Sequence, residues 1–376
     1  MTYPVRRFLD HAAGSPVTAP VLAAMAQVWE LAGNPSSLHA SGRAVRRHLE
    51  EARESVAADL GAHPSEVVFC SGGTEANNLA LLGAAGDVGE VLVSAVEHPS
   101  VGQAHRLLGG RVRVLPVDAE GRVDPGAVGP AVTAATRLVS VMWVNNETGV
   151  IQPVADVAAA AGAAGAWSHS DAVQAAGHVS VDFAGSGLDL LSVSAHKVGG
   201  PVGVGALLVR RGVGLAPSGF GGEQEARLRS GTVPTALAVG FAAALRLAVG
   251  RLDTEAVRLA GLGERLASGL AAIPGTRLNT TAPASPAILN VTVAGTRADD
   301  LLLILDAAGI DCSTGSACTA GVHQPSDVLL AMGRDLAEAS GSLRFSYGPQ
   351  TTAADIDAVL AVMPAAVERA RQAYLP

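Results

Sequence analysis

Apolar, β-branched runs alternate with Ala-rich segments of helical periodicity through the middle of the chain. Residues 42–61 place apolar positions at helical spacing and end at a glycine, and residues 65–86 indicate a strand, a glycine turn and a helix. Further strand candidates are "GEVLVSAV", "ATRLVSVMWV", "LDLLSVSAHK" and "VGALLVRR", with a helix predicted at "VADVAAAAGAAGA". This alternation predicts an α/β fold, a mainly parallel sheet with helices on both faces.

The pattern changes after about residue 250. An Arg- and Ala-rich helical segment is followed by strands such as "PAILNVTV", and a final helix is predicted near 352–373. Strands and helices that no longer alternate regularly are typical of an α+β unit. We therefore predict a second, smaller α+β domain in this part of the chain.

Composition narrows the functional classes. The chain has 376 residues, of which 49% are hydrophobic and 16% charged, and its net charge of −8 argues against a nucleic-acid surface. The mean hydropathy is +0.33, but "VGFAAALRLAVG" is short for a membrane span and carries Arg246. No apolar segment near the start indicates a secretory signal, and three cysteines make no disulfide framework. We expect a soluble, cytoplasmic protein without a membrane partner.

One cation stands apart from the others. The chain has 25 arginines and a single lysine, Lys197, which lies between His196 and a glycine-rich turn. A guanidinium stays protonated and is a poor nucleophile, whereas a desolvated lysine amine can lose its proton and form an imine with a carbonyl. A surface lysine left over by an Arg-biased composition is the alternative.

Polar segments follow several of the predicted strands. The turn Ser71–Thr74 joins a strand to a helix, where small residues let backbone N–H groups approach an anion. An ordinary turn with Thr74 as the helix N-cap is the alternative. Asp171 and Gln174 follow another strand, and an aspartate opposite a pyridine nitrogen keeps that nitrogen protonated. An Asp in such a loop also serves as a turn or capping residue.

Three more residues complete this set. Ser194 and His196 flank Lys197 and offer a hydroxyl and an imidazole to a phosphate, while His98 follows a further strand and suits proton transfer. Ligands of parallel sheets bind beyond the carboxyl ends of the strands. A phosphate cradle, an acid for a ring nitrogen and an imine-forming lysine together predict a pyridoxal 5'-phosphate (PLP) site. Each residue alone also has a structural explanation.

The chain resembles the group I cysteine desulfurases, in the class V aminotransferase branch of fold-type I PLP enzymes. The resemblance extends over almost the whole chain through "FLDHAAGSPV", "GNPSSLHASGR", "CSGGTEANNLAL", "VEHPSV", "VNNETGVIQPV", "SHSDAVQAAG", "SVSAHKVGGPVGVGALLVRR", "GGEQEARLRSGT", "STGSACTAG" and "LRFSYGPQTT". It implies a large domain over 14–250 with a mainly parallel seven-stranded sheet. The small α+β domain would comprise 1–13 and 251–376 and carry the loop of Cys318.

The resemblance also implies roles for individual residues. Lys197 would bind PLP covalently, Asp171 would pair with the pyridine nitrogen, Gln174 would contact the ring hydroxyl, and His98 would stack on the ring and transfer protons. The phosphate would be held within one subunit by four residues: Gly73, Thr74, Ser194 and His196. Across a homodimer interface it would be reached by Thr232. The substrate carboxylate would be bound by three residues, of which the first would also contact the cofactor: Asn146, Arg344 and Asn34.

The cysteines separate one PLP reaction from another. Cys70 ends an apolar strand and is expected to be buried, Cys312 is ambiguous, and Cys318 lies among small polar residues. Their spacing argues against a metal site, so none is predicted. By the resemblance, Cys318 attacks the sulfur of substrate L-cysteine and carries it as a persulfide to an acceptor protein, an iron–sulfur scaffold or a tRNA-thiolation enzyme. An incidental loop cysteine is the alternative.

Other functions remain open on the sequence. A selenocysteine lyase or a class V aminotransferase would share the cofactor site, and a catalytically silent sulfur-transfer scaffold belongs to another class. Two positions depart from the family: Glu223 replaces a usual glycine, and Val202 replaces a usual lysine. The first concerns the loop near the expected dimer interface, and the second leaves Lys197 as the single lysine.

Overall fold

The computed structural model describes residues 6–217, 219–315 and 324–374. The strands are β1 (Arg7–Phe8), β2 (Val67–Cys70), β3 (Glu90–Ser94), β4 (Val112–Leu115), β5 (Thr136–Ser140), β6 (Trp167–Asp171), β7 (Leu190–Ser194), β8 (Gly205–Val209), β9 (Thr276–Leu278), β10 (Ile288–Val293), β11 (Ile310–Asp311) and β12 (Ser342–Ser346). The helices are α1 (Ala19–Trp29), α2 (Ala40–Asp59), α3 (Gly73–Ala85), α4 (Pro99–Gly102), α5 (His105–Leu108), α6 (Val128–Ala131), α7 (Val154–Ala163), α8 (Phe183–Ser186), α9 (Thr235–Gly250), α10 (Leu252–Ala271), α11 (Ala298–Ala307), α12 (Asp327–Ala331), α13 (Leu336–Ser340) and α14 (Ala353–Tyr374). Short 3-10 helices occupy Pro64–Glu66, Gly109–Arg111, Pro125–Ala127, Ala195–Lys197 and Glu225–Arg227.

Seven strands form the main sheet in the order β2-β8-β7-β6-β5-β3-β4. The five strands from β7 to β4 pair in parallel, and β8 runs antiparallel to both of its neighbours. Every residue of β2, β7 and β8 is buried, as expected for strands covered by helices on both faces. The predicted α/β fold with a mainly parallel seven-stranded sheet is confirmed.

A second core lies beside the main sheet. It contains the antiparallel sheet β12-β10-β9 and the parallel pair β1-β11, packed against α10, α11 and α14. Leu9 belongs to this core together with residues such as Leu266 and Val359, so the chain start packs with its last third. The smaller α+β unit is present, while the predicted boundaries at 14 and 250 stay predictions.

The main sheet brings the predicted polar segments to one edge. Because β2 and β7 both run antiparallel to β8, they point in the same direction as β6, β5 and β3. The carboxyl ends of these strands lie at Cys70, Ser94, Ser140, Asp171 and Ser194. The segments that follow them therefore meet along the edge where ligands bind in such sheets.

In the described ranges, no single helix is both long and apolar enough to cross a membrane, and one pair, Thr235–Gly250 with Leu252–Ala271, meets that criterion jointly across a 70° bend.

Candidate active site

Lys197 ends the short helix that directly follows β7. Its Nζ donates hydrogen bonds to the carbonyl oxygens of Ala12 at 2.6 Å and Ala13 at 2.9 Å. Burial of the amine, aided by the charge of Arg344, lowers the pKa of Lys197 to about 8. The side chain is thus close to losing its proton near neutral pH, as a lysine nucleophile requires.

Gln174 meets Lys197 at the same acceptor. Its Nε2 donates to the Ala12 carbonyl at 2.8 Å, and the side chain is buried. One peptide oxygen from the chain start therefore aligns two predicted site residues. The predicted contact of Gln174 with a ring hydroxyl stays a prediction.

Asp171 is a buried carboxylate at the end of β6. Its Oδ2 accepts from Asn77 Nδ2 at 2.6 Å, and its Oδ1 accepts from the Val173 N–H at 2.9 Å. The side chain of Asn77 is buried on α3, one helical turn after Gly73. These two donors offset part of the cost of burying the charge. Sequence reasoning missed Asn77, although its helical spacing from Gly73 was a signal.

His98 is linked to Asp171 through two side chains. Its Nδ1 lies 2.7 Å from Ser100 Oγ and accepts from the Ser100 N–H at 3.1 Å. Ser100 Oγ in turn accepts from Asn77 Nδ2 at 2.8 Å. Burial lowers the pKa of His98, the nearby Asp171 charge opposes this, and the Lys197 charge adds to it. His98 therefore belongs to the same polar cluster as Lys197 and Asp171.

The start of α3 forms a cradle next to Ser194. Gly72 is the N-cap with φ 153°, and a Cβ on Gly73 would lie 2.6 Å from Val173 Cγ2. Ser194 Oγ lies 2.8 Å from His196 Nδ1. Thr74 is exposed and is the second helical residue, so the alternative in which Thr74 is the N-cap is wrong. Backbone N–H groups, a hydroxyl and an imidazole here suit an anion.

Arg344 approaches from β12 and is 5% exposed. Its Nη2 donates to Asp10 Oδ1 at 2.7 Å and its Nη1 to the Asn146 carbonyl at 2.8 Å. In the part of the chain that the structure describes, the buried Nε has no partner. A buried guanidinium N–H without an acceptor is costly, so this atom fits a ligand oxygen. Asn146 contributes its main-chain carbonyl to this arrangement.

Asn34 and Thr232 lie together on the surface. Asn34 Nδ2 is 3.5 Å from Thr232 Oγ1, and both residues are exposed. Within 6–217, 219–315 and 324–374, neither side chain hydrogen bonds to Lys197, Ser194 or His196. A single chain therefore does not bring these two predicted residues into the cluster.

Two of the three cysteines are buried. Burial raises the pKa values of Cys70 and Cys312 to about 12. The expected burial of Cys70 is confirmed, and neither thiol is a ready nucleophile, because the thiolate is the reactive form. Cys318 lies outside the described residues. Among the described residues, no group of three His, Cys, Asp or Glu side chains could hold a metal ion.

Two buried acids were missed by sequence reasoning. Burial raises the pKa of Glu97 to about 8, and its carboxyl accepts from Ser94 Oγ at 2.6 Å. Burial also raises the pKa of Glu147 to about 7, and Ser326 Oγ donates to it at 2.6 Å. Each directly neighbours a predicted site residue in "VEHPS" or "NNETG", and that adjacency was the available signal.

The two departures from the family pattern lie on the surface. Glu223 is exposed and forms an ion pair with Arg227 at 3.1 Å, and Val202 is 79% exposed. Exposed pairs of this kind add little stability. In the described ranges neither side chain hydrogen bonds to Lys197.

Comparison with known proteins agrees with this geometry. Residues 7–359 match the family model for class-V aminotransferases. An IscS-like cysteine desulfurase from Mycobacterium tuberculosis is 48% identical over 384 residues, covering 98% of each chain. Among solved structures, a NifS-like protein from Rickettsia africae has a TM-score of 0.89 at 29% identity, covering 96% of this chain and 99% of its own.

A further structure, SspA in complex with cysteine, has a TM-score of 0.80 at 32% identity and covers 92% of this chain and all (100%) of its own. The matches span nearly the entire chain, including the strands and turns that supply Lys197, Asp171 and His98. The chain belongs to the cysteine desulfurase family of class-V, PLP-dependent enzymes.

Proposed function

We propose that the protein converts L-cysteine to L-alanine and carries the released sulfur as a persulfide on Cys318 to an acceptor protein. The observation that supports this most is the cluster in which the Lys197 amine, with its pKa lowered to about 8, shares one site with Asp171 and the α3 cradle. Relatives of similar length are named cysteine desulfurases, which supports the same reaction.

The residues present fit PLP. A Cβ on Gly73 would clash with Val173, and Gly72 has φ 153°, which side chains disfavour. This glycine cradle would hold the phosphate with Ser194 and His196. Asp171, already facing the cluster as a buried carboxylate, would hold the pyridine nitrogen. Lys197 would supply the covalent attachment. When bound, PLP withdraws electrons from the bonds at the substrate Cα.

The chain's own groups bind and orient the substrate. In the described part of the chain the buried Nε–H of Arg344 has no partner and is available to a carboxylate oxygen, while Nη2 donates to Asp10 and Nη1 to the Asn146 carbonyl. This fixes the plane of the guanidinium before the substrate arrives, which reduces the entropy lost on binding. The Lys197 amine, in its neutral form, accepts a proton at Nζ.

Sulfur transfer balances without an external oxidant. The Cys318 thiolate attacks the substrate sulfur, an S–S bond forms, and the C–S bond breaks. The carbon keeps the electron pair and takes a proton, which yields alanine. A thiol reductant or an acceptor then removes the outer sulfur. The buried states of Cys70 and Cys312 support the assignment of this role to Cys318.

We extend the proposal to a homodimer in the cytoplasm. Asn34 and Thr232 are in contact at the surface, and the segment that carries Asn34 exposes Leu38 at 85% and Leu31 at 38%. Burial of these side chains against a second copy would be favourable, and that copy would bring Thr232 to its neighbour's phosphate. The acceptor would be an iron–sulfur scaffold or a tRNA-thiolation enzyme.

The test measures alanine and sulfide from L-cysteine with a thiol reductant on the PLP-loaded protein. Equimolar products are expected; Cys318→Ala should keep the colour of bound PLP and lose sulfide, while the control Cys312→Ala keeps both. Amino transfer to a keto acid would indicate a class V aminotransferase, and turnover of selenocysteine alone would indicate a selenocysteine lyase. Failure to bind PLP would indicate a catalytically silent sulfur-transfer scaffold. Unchanged sulfide from Cys318→Ala would exclude the persulfide step.

A further inference from the structure

The hydrogen bonds around His98 determine which ring nitrogen carries its proton. The backbone N–H of Ser100 points at Nδ1 at 3.1 Å, and a backbone N–H can only donate. Nδ1 is therefore an acceptor and carries no hydrogen. In the neutral ring the one remaining proton lies on Nε2.

The Ser100 hydroxyl has its direction set from the other side. Asn77 Nδ2 donates to Ser100 Oγ at 2.8 Å, so the oxygen is already an acceptor there. Its own hydrogen is then free for His98 Nδ1, which lies 2.7 Å away. Nδ1 thus accepts from both the N–H and the O–H of the same serine.

The orientation of Asn77 follows from Asp171. The same Nδ2 lies 2.6 Å from Asp171 Oδ2, and an amide oxygen in that place would repel the carboxylate. The buried Oδ1 of Asn77 has no partner in the described part of the chain, so it does not compete for this orientation. Asp171 therefore orients the Asn77 amide, the Asn77 amide orients the Ser100 hydroxyl, and this hydroxyl donates to His98 Nδ1.

We propose that Asn77 and Ser100 are positioning residues that transmit the charge of Asp171 to His98 and hold its neutral ring with the proton on Nε2. This proposal deepens the proposed desulfurase function. The tautomer assignment itself does not depend on that function, and only its role in catalysis rests on it. In this form His98 offers a hydrogen at Nε2 and can take up a proton only at Nδ1, at the expense of both Ser100 hydrogen bonds.

The test reads the tautomer directly by NMR of protein labelled with ¹⁵N in the histidine rings. The full chain is measured with PLP bound and after its removal, and the His98 signals are assigned with His98→Gln. We expect His98 in the wild-type protein to show a protonated Nε2 and a bare Nδ1. Ser100→Ala should shift the tautomer ratio toward Nδ1–H by roughly 2- to 10-fold, the effect of one hydrogen bond.

Further variants distinguish a positioning role of Ser100 and Asn77 from a purely structural one. Ser100→Thr keeps the hydroxyl and should restore the wild-type ratio, whereas Asn77→Ala should shift it in the same direction as Ser100→Ala. Ser65→Ala removes a similar hydroxyl near another histidine and should leave the His98 signals unchanged.

A wild-type His98 protonated at Nδ1, or a tautomer ratio that Ser100→Ala leaves unchanged, overturns the proposal. The wild-type spectrum alone tests it if a variant does not fold. Absence of sulfide production together with the expected spectrum would reject the proposed function and leave this tautomer assignment standing.

Discussion

The tripeptide His-Pro-Ser occurs twice, at His63–Ser65 and at His98–Ser100. Both copies make the same local bonds: the serine N–H donates to the histidine Nδ1, at 3.2 Å in the first and 3.1 Å in the second. The serine Oγ lies 2.8 Å and 2.7 Å from the same nitrogen. In each, the histidine caps a short helix whose first residue is proline, a favoured arrangement.

Their surroundings differ. His63 and Ser65 are exposed, and Glu66 closes a capping box by accepting from the His63 N–H at 2.8 Å. His98 is half-buried, and its serine is tied through Asn77 to Asp171. In the described ranges no side chain donates to Ser65 Oγ in the way that Asn77 donates to Ser100. The same local structure therefore forms an exposed helix cap at His63 and part of the buried polar cluster of Asp171 at His98.

The largest expected difference between the two copies is in catalysis. His98→Gln should lower the rate of sulfide production by about 10²- to 10⁴-fold, the usual contribution of an acid–base group. His63→Gln should leave the rate within about 2-fold, because surface substitutions of this kind have small effects. Steady-state sulfide assays on both variants measure this. Equal losses would show that the local cap, and not the buried neighbours, carries the function.

The effect of burying a histidine can be tested separately, through the pH dependence of stability at the fully buried His169. Burial lowers the pKa of His169 to about 3, below its value in the unfolded chain. Its contribution to stability is therefore complete above about pH 6.5 and is lost as the pH falls toward 3, by up to about 1.4 kcal/mol for each pH unit. Urea unfolding from pH 7 to pH 4 should show a flatter pH dependence in His169→Gln. His63→Gln is the exposed control and should retain the wild-type slope.

Asn77 marks the tertiary difference between the copies. Asn77→Ala removes a donor from the buried Asp171 carboxylate and should lower the free energy of unfolding of the PLP-free protein by about 1–3 kcal/mol. Its neighbour Asn78, which among the described residues donates only to the Thr74 carbonyl at 2.7 Å, provides the control. Asn78→Ala should change the stability by about 0.5 kcal/mol or less. A larger loss in Asn78→Ala would contradict the importance assigned to Asp171.

The smallest effect is expected at the exposed copy. His63→Ala removes the side chain that caps this short helix and should lower the free energy of unfolding by about 1 kcal/mol, the typical cost of a lost N-cap. Sulfide production per PLP-loaded subunit should stay at the wild-type rate. A fall in that rate would mean that the His63 region is coupled to the site after all.

Much of this fold followed from the sequence alone. The alternation of apolar strands and Ala-rich helices predicted the α/β sheet, and helix α2, expected at 42–61, spans Ala40–Asp59. The final helix, expected near 352–373, spans Ala353–Tyr374. Lys197 stands out as the single lysine, and Asp171 and His98 stand out because they follow predicted strands. These features are local: periodicity, turn residues and side-chain chemistry are all encoded within short segments.

The tertiary structure decided how these residues are connected. Asn77 reaches Asp171 across 94 residues and Ser100 across 23, and Arg344 reaches Asp10 across 334. Asn146 accepts from Arg344 through its main-chain carbonyl and not through its own side chain, and Asn34 contacts Thr232 at the surface. Such contacts depend on strand order, register and packing, which no short segment specifies. The sequence by itself determined which groups were available for chemistry, and the packing of the sheet determined which hydrogen-bond partner each of them received.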